Sequence, residues 1–167
     1  PKMFLPADKV ALKVFLKNVQ NLTVNVYEIN TFNYYRTTRR PLNLALPLDG
    51  LIATTSHMLK FADESILRVA HTIDLPQIKG RGVFVVELIG DGISSRALIQ
   101  KGNLRVLSEI TPAGHAFTVF DEAGQRQLDV SGWVSGRKVM PGKQGCLVVP
   151  FANKAASEKL IVLKDEF

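Results

Sequence analysis

Little in this chain lends itself to covalent or membrane chemistry. A single cysteine, Cys146, cannot close an internal disulfide, which excludes the disulfide-stapled scaffolds. No uninterrupted run of 18 apolar residues offers a helical bilayer span. The three histidines, His57, His71 and His115, are far apart and have no Cys or carboxylate at metal-ligand spacing, so no metal site is expected. Gly80-Arg81-Gly82 leads into a strand pattern instead of out of one into a helix, so it cannot aim backbone amides at a pyrophosphate and reads as a turn. Cys146 lies in the apolar run Gly145–Val149, where a thiolate has no support, and core packing is expected of it. Ser94-Ser95 lacks the strand-to-helix elbow that exposes a nucleophilic serine. Without a nucleophile, base and orienting group at interpretable spacing, no enzyme activity, cofactor or catalytic residue is expected.

What is present is ordinary globular material. The 167 residues are 46% hydrophobic and 22% charged, enough to build a core throughout. At 18.4 kDa the chain suits one generous sandwich or two small domains. Lys and Arg outnumber Asp and Glu by 21 to 15, a formal charge of +6. Residues 1–102 carry +5 of this excess, and residues 103–167 the remaining +1. Pro1 is not an initiator Met, no basic segment precedes an apolar stretch and cleavage site, and the chain stops shortly after Leu160–Leu163. These ends read as those of a processed or excised piece of a longer protein.

The dominant period is two. Val10, Leu12, Val14 and Leu16 share one face, with Lys9, Lys13 and Lys17 on the other, as a half-buried strand requires. Leu22, Val24 and Val26 repeat the pattern after an Asn18–Asn21 turn. Asn30–Arg40 has no clean period and reads as a loop or short irregular helix. Leu42–Leu48, bracketed by Pro41 and Pro47, is expected as an edge strand, since proline cannot donate to a ladder. Leu51–Leu59 is moderately strand-like. Asp63–Thr72 admits a short helix, but the β-branched Ile66, Val69, Thr72 and Ile73 favour a strand. Gly82–Ile89 and Ile93–Gln100 around Gly90-Asp91-Gly92 form the strongest hairpin signal. Further short apolar runs follow at Leu104–Leu107, His115–Phe120, Val130–Val134, Cys146–Val149 and Leu160–Leu163.

Turn signals about every ten residues imply an all-β fold of antiparallel β-sandwiches with little helix. The expected count, twelve to thirteen strands, exceeds one seven-stranded sandwich. Two tandem domains are therefore expected, 1–102 and a smaller one at 103–167, with the change near Lys101–Leu104. Phe84, Phe117, Phe120 and Trp133 are expected to be structural, since each sits in a strand pattern.

Two places invite a binding reading. Asn21-Leu22-Thr23 is a glycosylation acceptor triplet, which makes Asn21 a candidate modification site. Tyr34, Tyr35, Arg36, Arg39 and Arg40 form a candidate partner-facing loop. Aromatics interleaved with arginine can stack on bases, but no nucleic-acid module surrounds these, and no nucleic-acid partner is expected.

The order of signals also resembles a family. Leu16-Lys17-Asn18-Val19 followed by Leu22–Ile29 looks like a strand–Asn turn–strand passage of large α2-macroglobulin-like proteins. Gly82-Val83-Phe84-Val85-Val86-Glu87 resembles that family's Gly-Val-Tyr-x-Val-Glu strand, with Phe84 in the aromatic place. Ala113–Phe117 and Gly145–Phe151 are similar to the start and late strand of a following macroglobulin-type domain. The resemblance implies tandem macroglobulin-type sandwiches acting as a noncatalytic scaffold of a protease-inhibitor or defence protein. It also implies an extracellular, periplasmic or cell-surface setting. Partners would be neighbouring domains of the parent chain and, through the full-length protein, proteases. The family's covalent trap needs a Cys-Gly-Glu-Gln thioester, and Cys146 is followed by Leu147 and Val148, so that pattern is not met. The alternative is an independent adhesion or carbohydrate-binding sandwich that uses loops such as Tyr34–Arg40.

Overall fold

The computed structural model describes residues 2–38, 40, 42–62, 66–142, 144–152 and 159–164. In chain order its elements are β1 (Lys2–Phe4), β2 (Ala11–Leu16), β3 (Asn21–Ile29), α1 (Thr31–Thr38), β4 (Thr55–Lys60), β5 (Val69–Asp74), β6 (Gly82–Gly90), β7 (Ile93–Lys101), β8 (Arg105–Thr111), β9 (Gly114–Phe120), β10 (Ser131–Val134), β11 (Arg137–Val139), β12 (Cys146–Val149) and β13 (Leu160–Leu163). Thirteen strands and one short helix among the described residues make the chain an all-β protein, as the period of two dictates.

Two compact units result. One comprises Pro1–Thr31 with Arg40–Lys101, the other Phe32–Arg39 with Gly102–Phe167. The helical segment therefore goes with the second unit, although it follows a strand of the first.

In the first unit a five-stranded sheet, ordered β1-β7-β6-β3-β4, packs on the two-stranded sheet β2-β5. Between them lie Val10, Leu12, Leu22, Val24, Val26, Ile73, Leu75, Phe84, Val86 and Ile99, all buried. Alternation selects them: Val24 and Val26 of β3 point inward and meet Val86 of β6, while Asn25 and Tyr27 point to the opposite face. The β6–β7 hairpin turns on Asp91 and Gly92, whose φ values of 50° and 74° make the primed turn that matches strand twist. In the second unit, sheets β11-β10-β13 and β12-β9-β8 enclose a smaller core of Val119, Val130 and Leu147.

Several expectations need correcting. Leu42–Leu48 is no strand: the Ala45 amide donates to Asn43 Oδ1 at 2.9 Å, starting a turn, while Leu46 and Leu48 are buried without a ladder. Side-chain capture of the backbone outcompetes pairing there. The strand expected over Asp63–Thr72 begins only at Val69 and runs to Asp74, and Ile66 is 81% exposed. Positions 63–65 lie outside the described residues. Cys146 is half-buried, because alternation gives the core position to Leu147. Two strands were not foreseen. β1 is too short to show a period and pairs parallel to β7, and β11 pairs with β10 around Ser135-Gly136.

Candidate protein-interaction surface

The sequence places lysines on the outward face of β2, and the structure adds an aromatic ring to them. Leu12 is buried, whereas Lys13, Phe15 and Lys17 are exposed. Phe15 is 54% exposed, a high value for a large ring. Lys13 Nζ lies 5.6 Å from its centroid and Arg68 Cζ 5.4 Å. Each such cation–ring contact contributes about 0.5–1 kcal/mol at an exposed site, so the two cations hold the ring in place at the surface. An apolar anchor ringed by positive charge suits contact with an acidic protein surface, and aromatic and Arg side chains are the types that dominate binding energies.

Beside Phe15 runs an open groove of about 560 Å³ between β2 and the first half of β7. Its floor is the edge of the core, Leu12, Val14 and Leu16 from β2 with Leu88 and Ala97 opposite. Lys13, Lys17 and Arg68 bring cations to its described lining, against one carboxylate, Asp91; Arg96 lines it too, but its guanidinium goes to Glu87 and the Leu46 carbonyl.

Beneath the opposite face of the five-stranded sheet lies a polar cluster. Arg96 donates from Nε to Glu87 Oε1 at 3.0 Å and from Nη1 to the Leu46 carbonyl at 2.9 Å. Tyr27 donates to Glu87 Oε2 across a longer 3.4 Å. Burial, followed by the Glu87 charge, raises the Tyr27 phenol above its ordinary pKa. Every partner here serves another, so the cluster ties the Leu42–Leu48 segment to the sheet and is structural.

The residues expected as a partner-facing loop do not form one loop. Tyr34, Tyr35 and Arg36 stand on α1 in the second unit, Arg40 belongs to the first, and Arg39 lies outside the described residues. Tyr34 and Tyr35 are half-buried and Arg36 is exposed. Lys159 Nζ sits 5.8 Å from the Tyr35 centroid, and Phe32 packs against Trp133 with centroids 5.0 Å apart. Asn21 is exposed at the start of β3, with Leu22 beside it buried.

His71 packs on Phe61 at 4.4 Å and His115 lies near Phe151 at 5.2 Å, so both serve as flat packing groups. No group of three metal-ligating side chains occurs among the described residues. No helix among them is long and apolar enough to cross a membrane. Sequence reasoning noticed the β2 lysines as a solvated face but missed Phe15 and Arg68. They are far apart in the chain, and only the β2–β5 register, which sets Leu16 opposite Val69, brings them together.

Residues 22–102 match the family model of the AbpF first immunoglobulin-like domain. Actin-binding protein F of Dictyostelium discoideum is 34% identical over 160 residues, covering 95% of this chain and 7% of that protein. The chain thus spans only a small part of the length of the curated relative it matches. Among solved structures, native α2-macroglobulin from Escherichia coli spanning domains MG0-NIE-MG1 superposes with a TM-score of 0.51 at 15% identity, over 92% of this chain and 58% of that one. The NIE-MG1 crystal structure of the same protein gives 0.47 at 14% identity, over 94% and 89%. The fold is therefore immunoglobulin-like and shared with macroglobulin-type domains. The sequence match points to a different family from the α2-macroglobulin-like one, so only the sandwich part of that resemblance stands.

Proposed function

We propose that the chain is a noncatalytic immunoglobulin-like binding module of a longer protein that associates with actin. The 34% identity to actin-binding protein F along 95% of the chain carries this reading. The cationic face around Phe15 supports it as the contact surface, since a positive patch with an aromatic anchor speeds encounter with an acidic partner. Co-sedimentation with filamentous actin tests it. The chain should pellet with filaments, less so as salt rises, and Phe15→Ala with Lys13→Glu should abolish pelleting while leaving the melting temperature close to the parent's. Absence of pelleting at any salt sinks the reading.

The protease-inhibitor scaffold has a fold likeness to macroglobulin-type domains behind it. It is the reading to hold against actin association, together with a secreted or cell-surface setting. Expression of the parent protein through a secretory pathway separates them: a glycan on Asn21 and a complex with proteases would favour the scaffold.

A further inference from the structure

We propose that the pocket at the Lys101 end of the first unit binds a small organic acid, whose carboxylate is held by the Lys101 ammonium. β7 carries Ile99 into the inter-sheet core, and alternation turns Lys101, two residues on, the same way. Lys101 is only 4% exposed. A lysine so buried is normally paired with a carboxylate, because taking an ammonium out of water is costly. Here its Nζ donates to the Ile78 carbonyl at 3.0 Å, and among the described residues no carboxylate lies within ion-pair distance of it. An ammonium has three donors, so the rest are left for a ligand.

The turn that meets Lys101 is fixed by its own backbone. The Ile78 amide donates to the Leu75 carbonyl at 3.1 Å, and the Leu75 amide to the Val10 carbonyl at 2.9 Å. The ammonium is thereby positioned before any ligand arrives, which lowers the cost of binding. β1 runs parallel to β7 with Phe4 opposite Lys101 and Lys2 opposite Ile99, so chain preceding β1 runs away from this end of the sheet.

The pocket has a volume of about 580 Å³, and both Lys101 and Ile78 line it. Small-molecule sites have volumes of this order, with mostly apolar walls and a few placed polar groups. Pro6, Val10, Leu75 and Pro76 supply the apolar wall, so the acid should carry an apolar body. Its charged lining residues are Lys9, Lys79 and Lys101 against Asp8 and Asp74. Asp8 accepts from the Leu5 amide at 2.8 Å, which commits it to its own turn. Asp74 alternates with the buried Ile73 and faces outward from β5. A small positive excess around a single inward-facing ammonium suits a monoanionic carboxylate better than a phosphate dianion. The pocket shares no lining residue with the groove beside Phe15, so this inference and filament pelleting stand or fall separately.

Backbone amide NMR shifts test it, with hexanoate, its neutral isostere hexanamide and inorganic phosphate as probes. Hexanoate should shift Val10, Leu75, Ile78 and Lys79 saturably. Hexanamide, for want of charge, and phosphate, for want of an apolar body, should each bind at least about tenfold more weakly. Lys101→Met keeps the length and burial of the side chain, so it should melt close to or above the parent while binding hexanoate about tenfold more weakly. Should that variant not fold, the comparison of hexanoate with hexanamide on the parent chain decides alone. The proposal is overturned by no saturable shift with hexanoate, by hexanamide or phosphate matching it, or by shifts centred on Lys13, Lys17 and Arg68. A folded Lys101→Met protein that binds hexanoate as the parent does would overturn it equally.

Discussion

Arg96 stands directly opposite Glu87 across the β6–β7 ladder and sets two guanidinium nitrogens, Nε and Nη2, each 3.0 Å from the same carboxylate oxygen. The Glu87 side chain is 11% exposed and that of Arg96 30%. Removing the guanidinium strands a nearly buried carboxylate and frees the Leu46 carbonyl. Arg96→Ala should therefore cost about 1–3 kcal/mol, less than a fully buried pair because Arg96 reaches solvent. Lysine cannot serve both acceptors from one ammonium, so Arg96→Lys should recover only part of the loss. Denaturant unfolding of the three proteins checks this. An Arg96→Ala protein as stable as the parent would remove the cluster's structural role.

Tyr27 in the same cluster gives a pH dependence with a definite sign. Burial first, and the Glu87 charge second, raise its pKa in the folded state above the ordinary value of about 10. The unfolded chain then releases this proton at lower pH than the folded one. The contribution to stability is fully present below pH 10 and is lost as pH climbs through the folded value. Tyr27→Phe should flatten the alkaline limb of the stability curve relative to the parent. Parallel limbs in the two proteins would contradict the assignment.

Phe84 is 6% exposed within the inter-sheet core. Phe84→Ala removes its transfer energy and leaves a cavity, for a loss of about 3–5 kcal/mol. An unchanged unfolding midpoint would show the ring to be exposed and reopen a binding role for it.

How much was legible from sequence depended on whether the signal was local. The β6–β7 hairpin was readable because Asp91-Gly92 states its turn type and the flanking apolar runs state the pairing. The first strand of the lysine face was readable because a period of two needs only one strand. Leu42–Leu48 misled because apolar content there reports burial of Leu46 and Leu48, whereas Asn43 decides the backbone. The Phe15–Arg68 pair was invisible for a different reason. It depends on β2 and β5 becoming neighbours, which no local period in either strand states.

Gly114 opens β9 with a φ of 133°, a conformation that L side chains rarely adopt. A Cβ there would lie 2.2 Å from the Val149 carbonyl oxygen and 2.8 Å from Pro150 Cα, both backbone atoms at the end of β12. Neither can rotate aside. Gly114→Ala should combine strain with overpacking and destabilise the second unit by on the order of 2–5 kcal/mol. Hydrogen exchange should localise the loss to β9 and β12, and uniform loosening of both units would contradict that account.

Trp133 is the chain's only tryptophan, so its emission reports one place. Its ring meets Phe32 at 5.0 Å and 46°, which joins α1 to β10 within the second unit. No residue of α1 is fully buried, so the helix depends on partial contacts of this kind, and an eight-residue helix does not hold by propensity alone. Phe32→Ala should cost about 1–2 kcal/mol from the ring pair and the lost area, and should shift Trp133 emission to the red as water reaches the indole. Tyr35→Ala removes a ring that lies under Lys159 and should weaken the helix less, because the cation–ring contact is small at a half-exposed site. If Phe32→Ala left the emission unchanged while Tyr35→Ala shifted it, the helix would be held by Tyr35 and the ring pair would be incidental.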